Sequence, residues 1–193
     1  MLTDIFQIII RAVYWLLMPA ALLRFYMQMR GMSFRGPLGQ YVRAFTDWIV
    51  LPLRRVFKGA GYDWASLITA YVFELLYVFL MFAAAFHFAL FTTPDGWLLW
   101  LVLALFGVVI SAVAVMMVLL ILYVVLSFLA PRDENQLGSQ MVLLVTPWLA
   151  PIRRRVPLVG NLDLSPLILG VFLEIVYLLL ANYLQPAVLA LLH

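Results

Sequence analysis

Cysteine is absent, and with it go disulfides, thiolate metal sites and a thiol nucleophile. Histidine occurs only twice, at His87 and His193, and no His-Glu-x-x-His pair exists. There is no Walker loop and no glycine-rich nucleotide fingerprint. A serine nucleophile would lack a base, because the two histidines lie near the outer face and at the extreme C-terminus. The pattern therefore predicts no enzyme, no cofactor and no metal. Charge is scarce as well. Charged residues make up 11% of the 193 and hydrophobic ones 67%, where a soluble domain is about a quarter charged and half apolar. A water-soluble fold of this length cannot hide so much apolar surface, so its solvent is lipid. Length suggests one domain or two small ones.

What is present is four long apolar segments, at about 5–29, 64–91, 97–130 and 164–184. Each meets the roughly 20 residues needed to cross a bilayer. The opening Met1-Leu2-Thr3-Asp4 is acidic and Arg11 interrupts the first run, so 5–29 reads as a retained span and not as a secretory signal. The third segment would be about 51 Å long as one helix. It reads as a single long helix, as an interfacial piece (97–106) plus a span, or as two short spans.

Of twelve Lys and Arg residues, Arg11 and Arg24 fall inside the first span and the other ten in two connectors. The first holds Arg30, Arg35, Arg43, Arg54, Arg55 and Lys58, the second Arg132, Arg153, Arg154 and Arg155. Basic loops stay cytoplasmic. Both connectors share a side only if two crossings separate them. Four spans follow, with both termini and the 92–96 turn outside the cytoplasm. The apolar stretches Leu38–Leu51 and Gln136–Ala150 are too short to cross, and each carries a tryptophan, Trp48 and Trp148. They read as short amphipathic helices on the cytoplasmic face or, failing that, as irregular loops.

The chain also repeats itself. Pro52-Leu53-Arg54-Arg55, Gly61, Asp63, Leu67, Glu74 and Tyr77 recur as Pro151-Ile152-Arg153-Arg154, Gly160, Asp163, Leu167, Glu174 and Tyr177. The offset is 99 residues before the glycine and 100 from Asp63 onward. The predicted fold is an all-α membrane protein of four transmembrane helices in two tandem parallel repeats, 1–91 and 92–193, each with a short cytoplasmic amphipathic helix. The repeats would be related by a pseudo-two-fold axis along the membrane normal.

The two ordered copies of Pro-φ-Arg-Arg…Gly…Asp, the second ending in Asp163-Leu164-Ser165-Pro166, resemble the YggT/YlmG family of bacteria and plastids over nearly the whole chain. Lys58 and Trp48 depart from prolines of the family pattern, and the first copy is one loop residue shorter. The resemblance implies an integral membrane protein without catalysis. It also implies roles in osmotic tolerance, in cell division and nucleoid placement or, in a plastid branch, in haem attachment to a cytochrome b.

Several charges need a reason. Glu74 and Glu174 lie eleven residues beyond Asp63 and Asp163, about 15 Å deep and near the midplane, where a charge costs a few kcal/mol. Arg11 lies at similar depth. These groups form either a polar or proton-linked path, or a structural Arg11–Glu pair or protonated glutamate holding the bundle. Arg24 could snorkel toward the acid left over, although it lies nearer the cytoplasm. Asp63 and Asp163 read as helix caps. Arg54, Arg55, Arg153, Arg154 and Arg155 set topology and suit anionic headgroups or a protein partner; direct nucleic-acid binding is not indicated. His87 has no counterpart in the second repeat, which favours a helix–helix hydrogen bond over haem ligation. The reading is a non-enzymatic inner-membrane protein supporting osmotic or ionic stress tolerance as a scaffold that binds lipid and other membrane proteins, with a homo-oligomer allowed. Its alternatives are an oligomeric ion- or proton-linked channel or transporter, and an assembly or cell-division factor.

Overall fold

The computed structural model describes residues 2–56, 63–84, 93–129, 136–156 and 163–191. Lys58, Gly61, His87, Thr92, Arg132, Gly160 and His193 lie outside them. The described residues form helices joined by short links: α1 (Leu2–Met29), α2 (Pro37–Val56), α3 (Trp64–Ala84), α4 (Pro94–Leu129), α5 (Gln136–Arg153), α6 (Ser165–Leu178) and α7 (Gln185–Leu191). Four stretches are long and apolar enough to cross a membrane: Thr3–Met29, Trp64–Ala84, Pro94–Phe128 and Ser165–Ala187.

The third apolar segment resolves to one helix. α4 is continuous over 36 residues, about 54 Å at ~1.5 Å per residue. Its start also revises the predicted 92–96 turn. Pro94 opens the helix, where its missing N–H costs nothing. Thr93 Oγ1 accepts the backbone N–H of Gly96 at 3.2 Å as an N-cap, and Asp95 sits in the positive first turn.

Local chemistry sets the other ends too. α1 stops because Gly31 takes φ +62°. Met32 N–H then bonds the Met27 carbonyl and Gly31 N–H the Gln28 carbonyl, both at 2.9 Å. That is the double bond of a Schellman ending, which favours glycine at the left-handed position. α6 runs into α7 through a π-helical segment, Leu179–Leu184, in which Gln185 N–H reaches back to the Leu180 carbonyl. The Pro186 ring would strike the carbonyl four residues earlier in a regular helix, and the wider turn relieves this. The Pro-φ-Arg-Arg motifs begin inside helices: Pro52 lies within α2, and Pro151 within α5.

α3 packs between α1 and α4, and α6 packs on α4 and α5. One apolar cluster joins Met18, Ala21 and Leu22 of α1 with Ala70 and Phe73 of α3 and Val108 of α4. A larger one gathers Met27, Val42, Leu119, Leu144, Leu149 and Leu173. The connector helices are tied down. In α2, Val42, Thr46 and Val50 are buried while Arg43, Trp48 and Leu51 are exposed. The Tyr41 hydroxyl donates to the Leu16 carbonyl at 2.8 Å. α2 thus leans on the flank of α1. α5 is fastened by the Tyr26 hydroxyl to the Leu144 carbonyl (2.7 Å) and by Trp148 Nε1 to the Tyr26 hydroxyl (2.8 Å).

Candidate functional site

Three polar assemblies interrupt the apolar packing. The first surrounds Glu74. Its side chain is buried between α1 and α4, and the Tyr14 hydroxyl donates to Oε2 at 2.5 Å. The same hydroxyl lies 2.6 Å from Ser111 Oγ. With its one proton given to Glu74, Tyr14 accepts from the serine. A methyl group on Gly107 would overlap the Glu74 carboxylate, so the glycine makes the seat. The Tyr14 and Tyr77 rings stack at 4.0 Å. The expected Arg11–glutamate pair is not the arrangement found. Arg11 is exposed on α1 and bonds toward Tyr77, while Tyr14, one turn further along, meets Glu74. Glu174 does not mirror Glu74. It is exposed on α6, and among the described residues it makes no ion pair.

The second assembly is Arg24. Only 3% exposed, it donates through Nη1 to Thr46 Oγ1 (2.6 Å) and Asp47 Oδ1 (2.5 Å) and lies 6.0 Å from the Phe34 ring centre. It faces α2, and it serves neither glutamate.

The third is a pair of arginine–aspartate clasps. Arg54 Nε and Nη2 reach Asp63 Oδ1 and Oδ2 at 3.1 and 2.5 Å, and Nη2 also reaches Gln28 Oε1 at 2.7 Å. The Ser66 hydroxyl donates to Asp63. In the second clasp, Arg153 Nε reaches Asp163 Oδ2 at 2.8 Å, and Nη2 reaches the Tyr123 hydroxyl at 2.8 Å. Asp163 Oδ1 takes the Ser165 backbone N–H at 2.9 Å. The N-cap position of α6 is Leu164, so Asp163, one residue earlier, is not the predicted cap; it takes the Ser165 N–H and holds an arginine, whereas the Asp63 side chain serves Arg54 and Ser66. Arg55, Arg154 and Arg155 stay exposed beside the clasps.

Burial pushes the Asp63 carboxyl up, but the hydrogen bonds from Arg54 and Ser66 and the Arg54 and Arg24 charges outweigh it and hold the pKa below the usual value. Asp163 is likewise held low: the bonds from Ser165 and Arg153 outweigh burial. Burial lowers the Arg153 guanidinium, yet Tyr123 and Asp163 leave it raised. Both aspartates bind protons more weakly in the native state than unfolded, so their stabilisation is present above the ordinary carboxylate pKa of about 3.9 and is lost as pH falls through the depressed native values. Acid unfolding in micelles, followed by tryptophan fluorescence, should thus lose part of its dependence below about pH 4 in Asp63→Asn/Asp163→Asn. An unchanged acid limb would refute the clasps as its source.

Sequence reasoning picked out Glu74, Arg24 and the clasp residues, but missed Tyr14, Ser111, Gly107, Asp47, Gln28 and Tyr123. Gly107 and Ser111 carried a signal, being four apart on one face of an otherwise apolar helix.

Among the described residues, no group of His, Cys, Asp and Glu could hold a metal ion. The family described as CCB3/YggT matches the chain at residues 1–84 and 102–184. "Uncharacterized protein YggT" of Escherichia coli K12 is 29% identical over 165 residues, 85% of this chain and 82% of its own. "Uncharacterized protein PA0392" of Pseudomonas aeruginosa is 31% identical over 164 residues, 83% and 80% of the two chains. "Uncharacterized protein in proC 3'region" of Vibrio alginolyticus is 26% identical over 179 residues, 92% and 94%. No solved structure matches the chain.

Proposed function

The chain belongs to the CCB3/YggT family, and from that premise we propose that it is a non-enzymatic scaffold of the bacterial inner membrane, supporting osmotic or ionic stress tolerance through a basic cytoplasmic face. The observation that carries this reading is the division of labour inside the arginine motifs. Arg54 and Arg153 are engaged by Asp63 and Asp163. Arg55, Arg154 and Arg155 project outward, joined by Arg30, Arg35 and Arg43. Topology alone requires only that the basic residues stay on one side. It does not require that some be held rigid so that their neighbours face out. Each exposed arginine near an anionic surface contributes about 1 kcal/mol, so three make a difference on the order of a hundredfold in attraction to headgroups or to an acidic face of another membrane protein. The two-part family match agrees with the tandem-repeat reading, in which α2 and α5 are equivalent amphipathic helices on the same side. Both termini then lie outside the cytoplasm.

A transport reading rests on Glu74 and Glu174 at mid-depth. The Glu74 carboxylate, however, is enclosed by Tyr14, Ser111 and Gly107, an arrangement suited to holding helices together.

The test is regrowth after osmotic upshift in a strain lacking the gene. The strain is complemented with wild type, with Arg55→Ala/Arg154→Ala/Arg155→Ala, or with Glu74→Gln/Glu174→Gln, each at equal membrane level. The arginine variant should regrow no better than the deletion and the glutamine variant like wild type. The opposite pattern would replace the scaffold by an ion-linked mechanism.

A further inference from the structure

The two exposed charges left at mid-depth, Arg11 and Glu174, stand on different helices; Arg11 bonds toward the neutral Tyr77, and among the described residues neither charge makes an ion pair. Arg11 lies on the outer side of α1 with Ile8 and Trp15, 65% and 54% exposed. Glu174 lies on the outer side of α6 with Leu167 and Val171, 65% and 54% exposed. It also lines an apolar groove of about 840 Å³ beside α4. Both sets follow helical spacing, so each charge sits within an apolar stripe.

Their heights match. Arg11 is nine residues into α1 and Glu174 nine into α6, each about 14 Å from the helix start. The two helices run in opposite directions in the four-span topology, so 14 Å from either face of a ~30 Å core brings both charges to the midplane. A charge facing lipid there is unfavourable, and an opposite charge at the same depth is the natural remedy. α1 packs mainly on α3 and α2, and α6 on α4 and α5, so within one chain the pair is not made.

The chain already contains a pattern for the missing contact. α3 ends the first half and packs on α4, which begins the second, placing Glu74 beside Gly107 and one tyrosine hydroxyl from Ser111. At the 99-residue offset that holds before the glycine, Gly107 and Ser111 correspond to Ile8 and Ala12 of α1, and Arg11 lies on the face they mark. Continuing the series, the helix that should pack on α6 is another α1, and Arg11 is the residue it would bring to Glu174. We propose that a second copy of this chain docks its α1 on α6, pairing Arg11 of one copy with Glu174 of the other. The contact is head-to-tail and leaves both copies in the same membrane orientation, so it repeats from copy to copy as a ring or an open row. It rests on the four-span topology and is separate from the cytoplasmic arginines.

The absence of cysteine makes the test direct. Full-length chains carrying Trp15→Cys and Val171→Cys, with different tags, are co-expressed and oxidised in native membranes. A product of twice the chain mass bearing both tags is expected from the mixture and not from either alone. Introducing Arg11→Glu into both should lower it at least tenfold, and so should Glu174→Arg. The exchange Arg11→Glu/Glu174→Arg should restore it, which also shows that the variants insert and fold. A cross-link indifferent to single charge reversal, failure of the exchange to restore it, or no mixed product would each overturn the proposal.

Discussion

Gly107→Ala is expected to destabilise the helix bundle by about 1–3 kcal/mol, and Glu74→Ala in the same chain should remove most of that cost. The alanine methyl would occupy the space of the Glu74 carboxylate. To make room, the carboxylate must leave the Tyr14 hydroxyl or α3 must draw away from α4, where Ala70, Phe73 and Val108 are close-packed. Removing the glutamate side chain abolishes the overlap, so the two substitutions should couple by about 1–2 kcal/mol in a double-mutant cycle. Glu74→Gln alone keeps the size and an acceptor for Tyr14 and should cost less than about 1 kcal/mol. Unfolding of the purified protein in mixed micelles on titration with a denaturing detergent provides the measurement. Additive losses in the cycle would mean that Gly107 and Glu74 do not share one space.

The division between what was legible in the residues and what was not follows the range of each interaction. The four apolar stretches were legible because crossing lipid leaves few alternatives to a long helix. The extent of α4 was ambiguous, since length and composition cannot distinguish one 36-residue helix from a surface piece and a span. The apolar stretches Leu38–Leu51 and Gln136–Ala150 mark the connector helices but stop short of the Pro-φ-Arg-Arg motifs. In the structure α2 and α5 carry Pro52 and Pro151 and end at Val56 and Arg153, with the arginines placed in the last turn. Glu74 and Arg24 stood out because charge within an apolar span demands a partner, and the aspartates because they head their helices. The partners did not, being set by helix rotation. Tyr14 in place of Arg11 is a difference of one turn on α1, and Asp47 for Arg24 depends on how α2 leans on α1. The asymmetry of the glutamates is partly visible afterwards: at the 99-residue offset that holds before the glycine Val113 replaces Tyr14, so α4 offers Glu174 no hydroxyl there.

The second large effect separates two motifs that look alike in sequence. Arg54→Ala should cost about 2–3 kcal/mol, because it leaves a buried carboxylate without its cation, whereas Arg153→Ala should cost no more than about 1 kcal/mol. The Asp63 side chain is 2% exposed and that of Asp163 28%, so water can replace Arg153 but not Arg54. Geometry points the same way. Arg54 grips both oxygens of Asp63, a forked contact that lysine cannot reproduce. Arg153 directs Nε and Nη2 to one oxygen of Asp163, which an ammonium can imitate. Arg54→Lys should therefore recover less than half of the alanine loss and Arg153→Lys nearly all of it, in the same micelle titration. Equal penalties at the two positions would show that burial of the aspartate does not govern the clasps. The expected inequality would make the α2–α3 junction the firmer of the two, leaving α5 the more readily displaced when the exposed Arg154 and Arg155 meet a membrane surface or a partner.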